Sequence, residues 1–178
     1  MALPSEHAYE ILRIDITVTC HDEFEQDVAD RSYQKIADSY NLTAVPDFWC
    51  WKVSLTEKDI YEATSPEGTT WTWETFRIAS TQERETWAVM MHPGSVNPSL
   101  PQTRAGWGRV FPGSGVPAAQ LQFLLALARY KALRCEVLEV GGTGADLGQP
   151  QNPAVLTWVG TITMNDVAHC LDPNVPIQ

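Results

Sequence analysis

Hydrophobic and polar positions alternate along residues 9–20. Leu12, Ile14, Ile16, Val18 and Cys20 share one parity, and Arg13, Asp15, Thr17 and Thr19 the other. That period of two predicts a half-buried strand. The spacing changes after Asp22, a residue able to cap a helix. Phe24, Val28, Ala29, Tyr33, Ile36, Ala37 and Tyr40 then recur at intervals of mostly three and four, which predicts an amphipathic helix over Glu23–Tyr40. Pro46 and Asp47 open a second strand, with Trp49, Trp51, Val53 and Leu55 on one face and Cys50, Lys52 and Ser54 on the other. Thr56 followed by Asp59 resembles a capping box and predicts a short helix through Ala63. Ser65–Gly68 reads as a turn.

Thr69–Ala79 and Thr86–His92 read as paired strands, with a bulge near Glu74 to reconcile Trp71 and Trp73 with Phe76 and Ile78. Residues 93–116 lose all periodicity. Nine of these 24 positions are Gly or Pro, which predicts a long loop of the kind that carries function. Pro117 suits a first helical turn. Ala118–Leu133 is apolar nearly all round and predicts a mostly buried helix. Arg134–Val140 and Ala154–Thr163 read as strands, Gly141–Pro153 as a flexible loop, and Asn165–Leu171 as a short terminal helix before a tail at Asp172–Pro173.

This order predicts one α+β domain over residues 1–178. A mainly antiparallel sheet would be packed by two long helices, in a ferredoxin-like element order with extra strands. The 178-residue length agrees with a single domain.

Composition then narrows function. The chain carries 12 basic and 22 acidic side chains, a net charge of -10. Such a balance argues against sequence-independent nucleic-acid binding, which needs Lys and Arg to displace counterions, and against an anionic membrane surface. Residues 1–89 hold 17 acids and 7 bases, whereas residues 90–178 hold five of each. The whole imbalance therefore lies in the first half. Cys20, Cys50, Cys135 and Cys170 are at least thirty residues apart with no CxxC pair, as expected of reduced, buried thiols. With no basic-then-apolar leader pattern, a cytoplasmic protein is expected.

Five sets of residues invite a chemical reading. Glu23, Asp27, Asp30 and Asp38 fall on the polar side of the Glu23–Tyr40 helix and suit a basic partner. Arg104, Trp107 and Arg109 sit among glycines on the expected loop, and Trp and Arg are the residue types enriched in interface hot spots. Trp49, Trp51, Trp71 and Trp73 would form an aromatic face if their strands were neighbours. Residues 141–148 are glycine-rich, but no Gly-Lys-Ser/Thr follows and Leu147 stands where a dinucleotide fingerprint needs Gly or Ala. Cys20-His21 and His169-Cys170 are adjacent pairs whose side chains would point to opposite strand faces, so no metal or cofactor is expected. His92, with Glu74 as an acidic partner, is the candidate for proton transfer.

The sequence thus predicts a small acidic protein-binding protein, of inhibitor, immunity or counter-defence type, that docks a basic partner. A small-molecule-binding protein or cofactor-independent enzyme, its pocket lined by Trp71, Trp73 and Trp107, is the alternative. A structural subunit of an assembly is the other.

Overall fold

The computed structural model describes residues 3, 5–63, 71–74, 78–138, 147–172 and 174. Helix dominates, with two short sheets, in a mixed fold consistent with the α+β class. In chain order the described elements are α1 (Glu6–Ile14), a π-helical turn (Asp15–Thr19), α2 (His21–Ala29), α3 (Tyr33–Tyr40), β1 (Trp49–Trp51), β2 (Leu55–Thr56) and α4 (Glu57–Glu62). There follow α5 (Thr81–Met91), β3 (Ser95–Val96), α6 (Pro101–Val110), α7 (Val116–Leu127), β4 (Arg129–Lys131), α8 (Arg134–Val137) and α9 (Met164–Leu171). β1 pairs with β4, and β2 runs antiparallel to β3 in the register Leu55–Val96 and Thr56–Ser95. The chain divides into two compact units, Met1–Cys50 with Lys131–Gln178 and Trp51–Tyr130.

In the first unit, residues 9–20 are helical, not a strand. Ser5 caps α1 by accepting from the Ala8 amide at 3.2 Å, and Tyr9, Leu12 and Ile16 recur at helical spacing and are buried. Ile14 and Val18, which the alternation placed beside Leu12, are 43% and 70% exposed. The π turn closes on a Cys20 amide to Asp15 carbonyl bond of 2.8 Å. The expected helix Glu23–Tyr40 is interrupted. Arg31 adopts φ 54°, the Ser32 amide donates to the Asp27 carbonyl and the Arg31 amide to the Val28 carbonyl. These are the two bonds of a Schellman cap, so α2 ends and α3 starts in a new direction.

The expected strand Arg134–Val140 begins as the helix α8. Among the described residues the expected strand Ala154–Thr163 makes a single bridge, Cys50–Ala154. Towards its end side chains meet the backbone: Asn41 bonds both the amide and the carbonyl of Ile162, and buried Glu136 accepts from the Gly160 amide at 2.9 Å. The terminal helix forms as α9, with Thr163 and Asp166 making a reciprocal capping box. The first unit's core is Tyr9, Leu12, Ile16, Phe24, Ile36, Ala37, Tyr40, Cys135, Ile162, Val167 and Cys170.

In the second unit the Thr56–Asp59 capping box forms and starts α4. The expected strand Thr86–His92 lies instead in α5, whose N-terminus is capped by Ser80 and Glu83. The expected loop 93–116 contains the ten-residue helix α6, opened by Pro101. Pro117 lies in the first turn of α7, which stops at Leu127, short of the expected Leu133. Because two expected strands are helical and a third begins as a helix, the described residues do not confirm the ferredoxin-like order or its two long helices. The Ser65–Gly68 turn, residues 69–70 and 75–77 of the expected strand Thr69–Ala79, residues 141–146 of the glycine-rich loop and Pro173 of the tail lie outside the described residues. Trp71, Trp87, Trp107, Val110, Phe111, Phe123 and Leu124 make up most of the second core.

Candidate functional site

The charge asymmetry maps onto the two units. The first unit holds 15 acidic and 5 basic side chains, a net of -10, and the second holds seven of each, a net of zero. The acidic side chains of α2 and α3 are not equivalent. Glu23 forms a bidentate pair with Arg134 at 2.8 and 3.0 Å, and Asp27 pairs with Lys35 at 3.2 Å. Asp38 accepts from Gln34 at 2.7 Å, and Asp22 lies 3.5 Å from His21. Glu25 and Asp30 are exposed and meet no hydrogen bond or ion pair among the described residues. The sequence-predicted acidic set is therefore partly spent on internal pairing, and Glu25, an exposed and unspent carboxylate, lies outside it.

Beside these helices the first unit carries a cleft of about 670 Å³. Its polar end is Asp15, Cys20, Glu23, Ser39 and Arg134, and its apolar walls include Leu42, Val45, Phe48, Val137 and Leu138. The π turn brings Asp15 and Cys20 to the same place. Asp15 accepts the Tyr40 hydroxyl at 2.5 Å and the Cys20 thiol at 3.7 Å. Arg134 crosses this floor: it donates to Glu23, to Ser39 at 3.3 Å and to Cys20 Sγ at 3.0 Å, and its guanidinium lies 4.5 Å from the Tyr40 ring centroid and 5.2 Å from that of Phe24. The hydrogen bonds from Arg134 hold the Glu23 carboxyl below its usual range. Burial, with Asp15 adding to it, pushes the Cys20 thiol up, and Arg134 only partly offsets this. Cys20 is therefore held as a neutral thiol rather than an activated thiolate.

Four of the residues in this floor, Asp15, Cys20, Tyr40 and Arg134, have no local signal of a shared role in the sequence. The hydrogen-bond partners of Arg134 lie 95 to 114 positions away. All four cysteines are free thiols, and only Cys20 is not fully buried.

In the second unit, the sequence pattern places Trp107 on a glycine-rich loop as a hot-spot residue type. It is instead fully buried within α6. The glycines around it sit inside a helix, so the indole faces the core. Arg104 donates to the carbonyls of Pro98 at 2.5 Å and Ser99 at 2.8 Å, and lies 4.4 Å from the Trp51 ring centroid, which ties down the turn before α6. Arg109 is exposed and borders a shallow groove with Thr86, Met90, Gln102 and Thr103.

The expected four-tryptophan sheet face is not formed. Trp71 stacks on Trp87 at 5.3 Å and meets Phe111 edge-on at 5.9 Å, inside the core, while Trp73 is 58% exposed. In β1 it is Cys50 that is buried, with Trp49 and Trp51 half-buried. The Trp71–Trp73–Trp107 pocket is overturned by this packing. His92 is exposed at the end of α5 and makes no hydrogen bond or ion pair among the described residues, so the His92–Glu74 pair is not assembled. Glu74 is exposed, its amide donating to Thr72 at 3.3 Å.

Among the described residues no group of three or more His, Cys, Asp or Glu side chains is placed to hold a metal ion, and no helix is long and apolar enough to cross a membrane. No protein-family model, curated protein or solved structure matches this chain.

Proposed function

We propose that the protein is an acidic binding protein whose first unit docks a basic protein partner. The observation that carries this reading is the confinement of the entire -10 charge to that unit, with Glu25 and Asp30 exposed on and just after α2 and meeting no ion pair among the described residues. A surface of one sign speeds encounter with an oppositely charged partner and disfavours wrong ones. The internal pairs of Glu23 and Asp27 hold the helices in place, and the unspent carboxylates meet the partner. An inhibitor, immunity or counter-defence role fits such docking.

The test uses a labelled oligolysine peptide as the probe. The variant Asp22→Asn/Glu25→Gln/Asp30→Asn should weaken binding by about tenfold and flatten its salt dependence. The control Glu57→Gln/Glu62→Gln/Glu85→Gln removes three exposed charges from the second unit and should leave binding unchanged. Equal losses in both variants would mean bulk charge alone and would overturn the reading.

A second reading, a small-molecule-binding protein, moves from the tryptophans to the first-unit cleft. Its size of about 670 Å³ lies within the range of ligand sites.

A further inference from the structure

The cleft has a polar end and apolar walls, and its chemistry restricts what it accepts. Among the described residues of its lining, Arg134 is the single cation, against two carboxylates, Asp15 and Glu23. Its guanidinium is committed to Glu23, Ser39 and Cys20, lies 3.9 Å from Asp15 Oδ2 and is stacked on two rings, so it has little to offer an anion. Glu23 is bound on both oxygens. Asp15 takes its hydrogen bonds on one oxygen, Oδ2, and Oδ1 receives none from a described residue. With Arg134 set against both Asp15 and Glu23, the net charge of the polar end is negative, and Asp15 Oδ1 is the oxygen left for a second cation. The apolar side continues beyond the cleft to an open rim, where Val45 is 95% exposed and Leu42 is 65% exposed. Exposed apolar surface that is continuous with the walls of a concave site favours an interaction surface.

We infer that this cleft anchors a basic-hydrophobic segment of the protein partner, an aliphatic side chain entering between Phe48, Val137 and Leu138 and a neighbouring Lys or Arg reaching Asp15. The inference rests on the acidic-docking reading and deepens it. The carboxylates of α2 supply attraction at range, and the cleft supplies selection for an apolar residue within a basic sequence. The rim favours a peptide over a free amine, because a compact amine inside the cleft leaves Val45 and Leu42 uncovered.

Two labelled oligolysine peptides test this, one with a single central leucine and one with glycine in its place. The leucine peptide should bind about tenfold more tightly, the effect of burying one aliphatic side chain. It should also protect Cys20, on the cleft floor, from N-ethylmaleimide, whereas the glycine peptide should not. The variant Leu42→Ser/Val45→Ser changes only exposed positions, so the fold is not at risk. It should reduce the leucine preference at least several-fold while leaving oligolysine binding intact. Equal affinity of the two peptides, both salt-sensitive, would overturn the cleft assignment and leave the acidic-docking reading standing. Loss of all peptide binding in wild type would overturn both. Protection of Cys20 by hexylamine at the concentrations effective for the peptide would assign the cleft to a small amine and overturn the peptide as its occupant.

Discussion

Arg134 shows how one side chain organises a region that has no local motif. Its guanidinium satisfies Glu23 bidentately and stacks on Tyr40, and these demands need its planar fork. Removing it leaves Glu23, Ser39 and Asp15 without their common cation. Arg134→Ala should therefore lower unfolding free energy by about 1.5–3 kcal/mol, the range for hydrogen bonds to a charged group, as read by urea denaturation. Arg134→Lys should recover less than half, because an ammonium cannot form the bidentate pair and the ring contact together. The same pairing lowers the Glu23 pKa, so its contribution is complete above the ordinary carboxylate range and is lost as pH falls through the lowered value. In Glu23→Gln that acid-side loss should be smaller. A larger acid sensitivity in the variant would contradict the assignment.

At the scale of elements, local signals were reliable where they were chemical and misleading where they were only periodic. The Thr56–Asp59 capping box and Pro117 each mark a helix start that forms. Ser80 with Glu83 is the same signature, and it outweighs the β-prone Thr86–Val89 run that reads as a strand. Ser80→Ala should cost about 1 kcal/mol, measured by thermal or urea unfolding, because the Glu83 amide would lose its acceptor. The break between α2 and α3 is the opposite case, since apolar spacing runs straight through it. Only the left-handed Arg31 and its two capping bonds reveal the stop. A non-glycine residue there carries about 1–2 kcal/mol of strain, so Arg31→Gly should be stabilising by up to about 1 kcal/mol after the entropy of glycine is counted. Destabilisation would mean that the Arg31 side chain matters more than its backbone.

On the scale of the whole molecule, the first unit combines all the excess negative charge with all four thiols. Burial, with nearby Glu136 adding to it, raises Cys50 to about 12 and Cys135 to about 11, and burial raises Cys170 to about 12, each from an ordinary 9.0. A raised folded-state pKa means stability that is present in full below pH 9 and is lost as pH rises toward 11–12. Melting temperature should fall steadily across that window, and Cys170→Ala should shallow the fall. A melting temperature flat from pH 9 to the folded values would show that these thiols are not held neutral by the fold. The sequence by itself determined the charge and its confinement to part of the chain, the capped helix starts, the apolar helix after Pro117 and the terminal helix, because each depends on residues within a few positions of one another. It left residues 9–20 undecided in fact, since Tyr9, Leu12 and Ile16 satisfy a helical period while Leu12, Ile14 and Ile16 satisfy a strand. Burial of Ile16 and exposure of Ile14 and Val18 resolved that choice, and they depend on what packs against the segment. The side chains of Asn41 and Glu136 that replace a strand partner for residues 160–162, and the Arg134 floor of the cleft, likewise exist only once distant segments meet. Their energetics come from desolvated charge and satisfied backbone groups, which no spacing along the chain encodes.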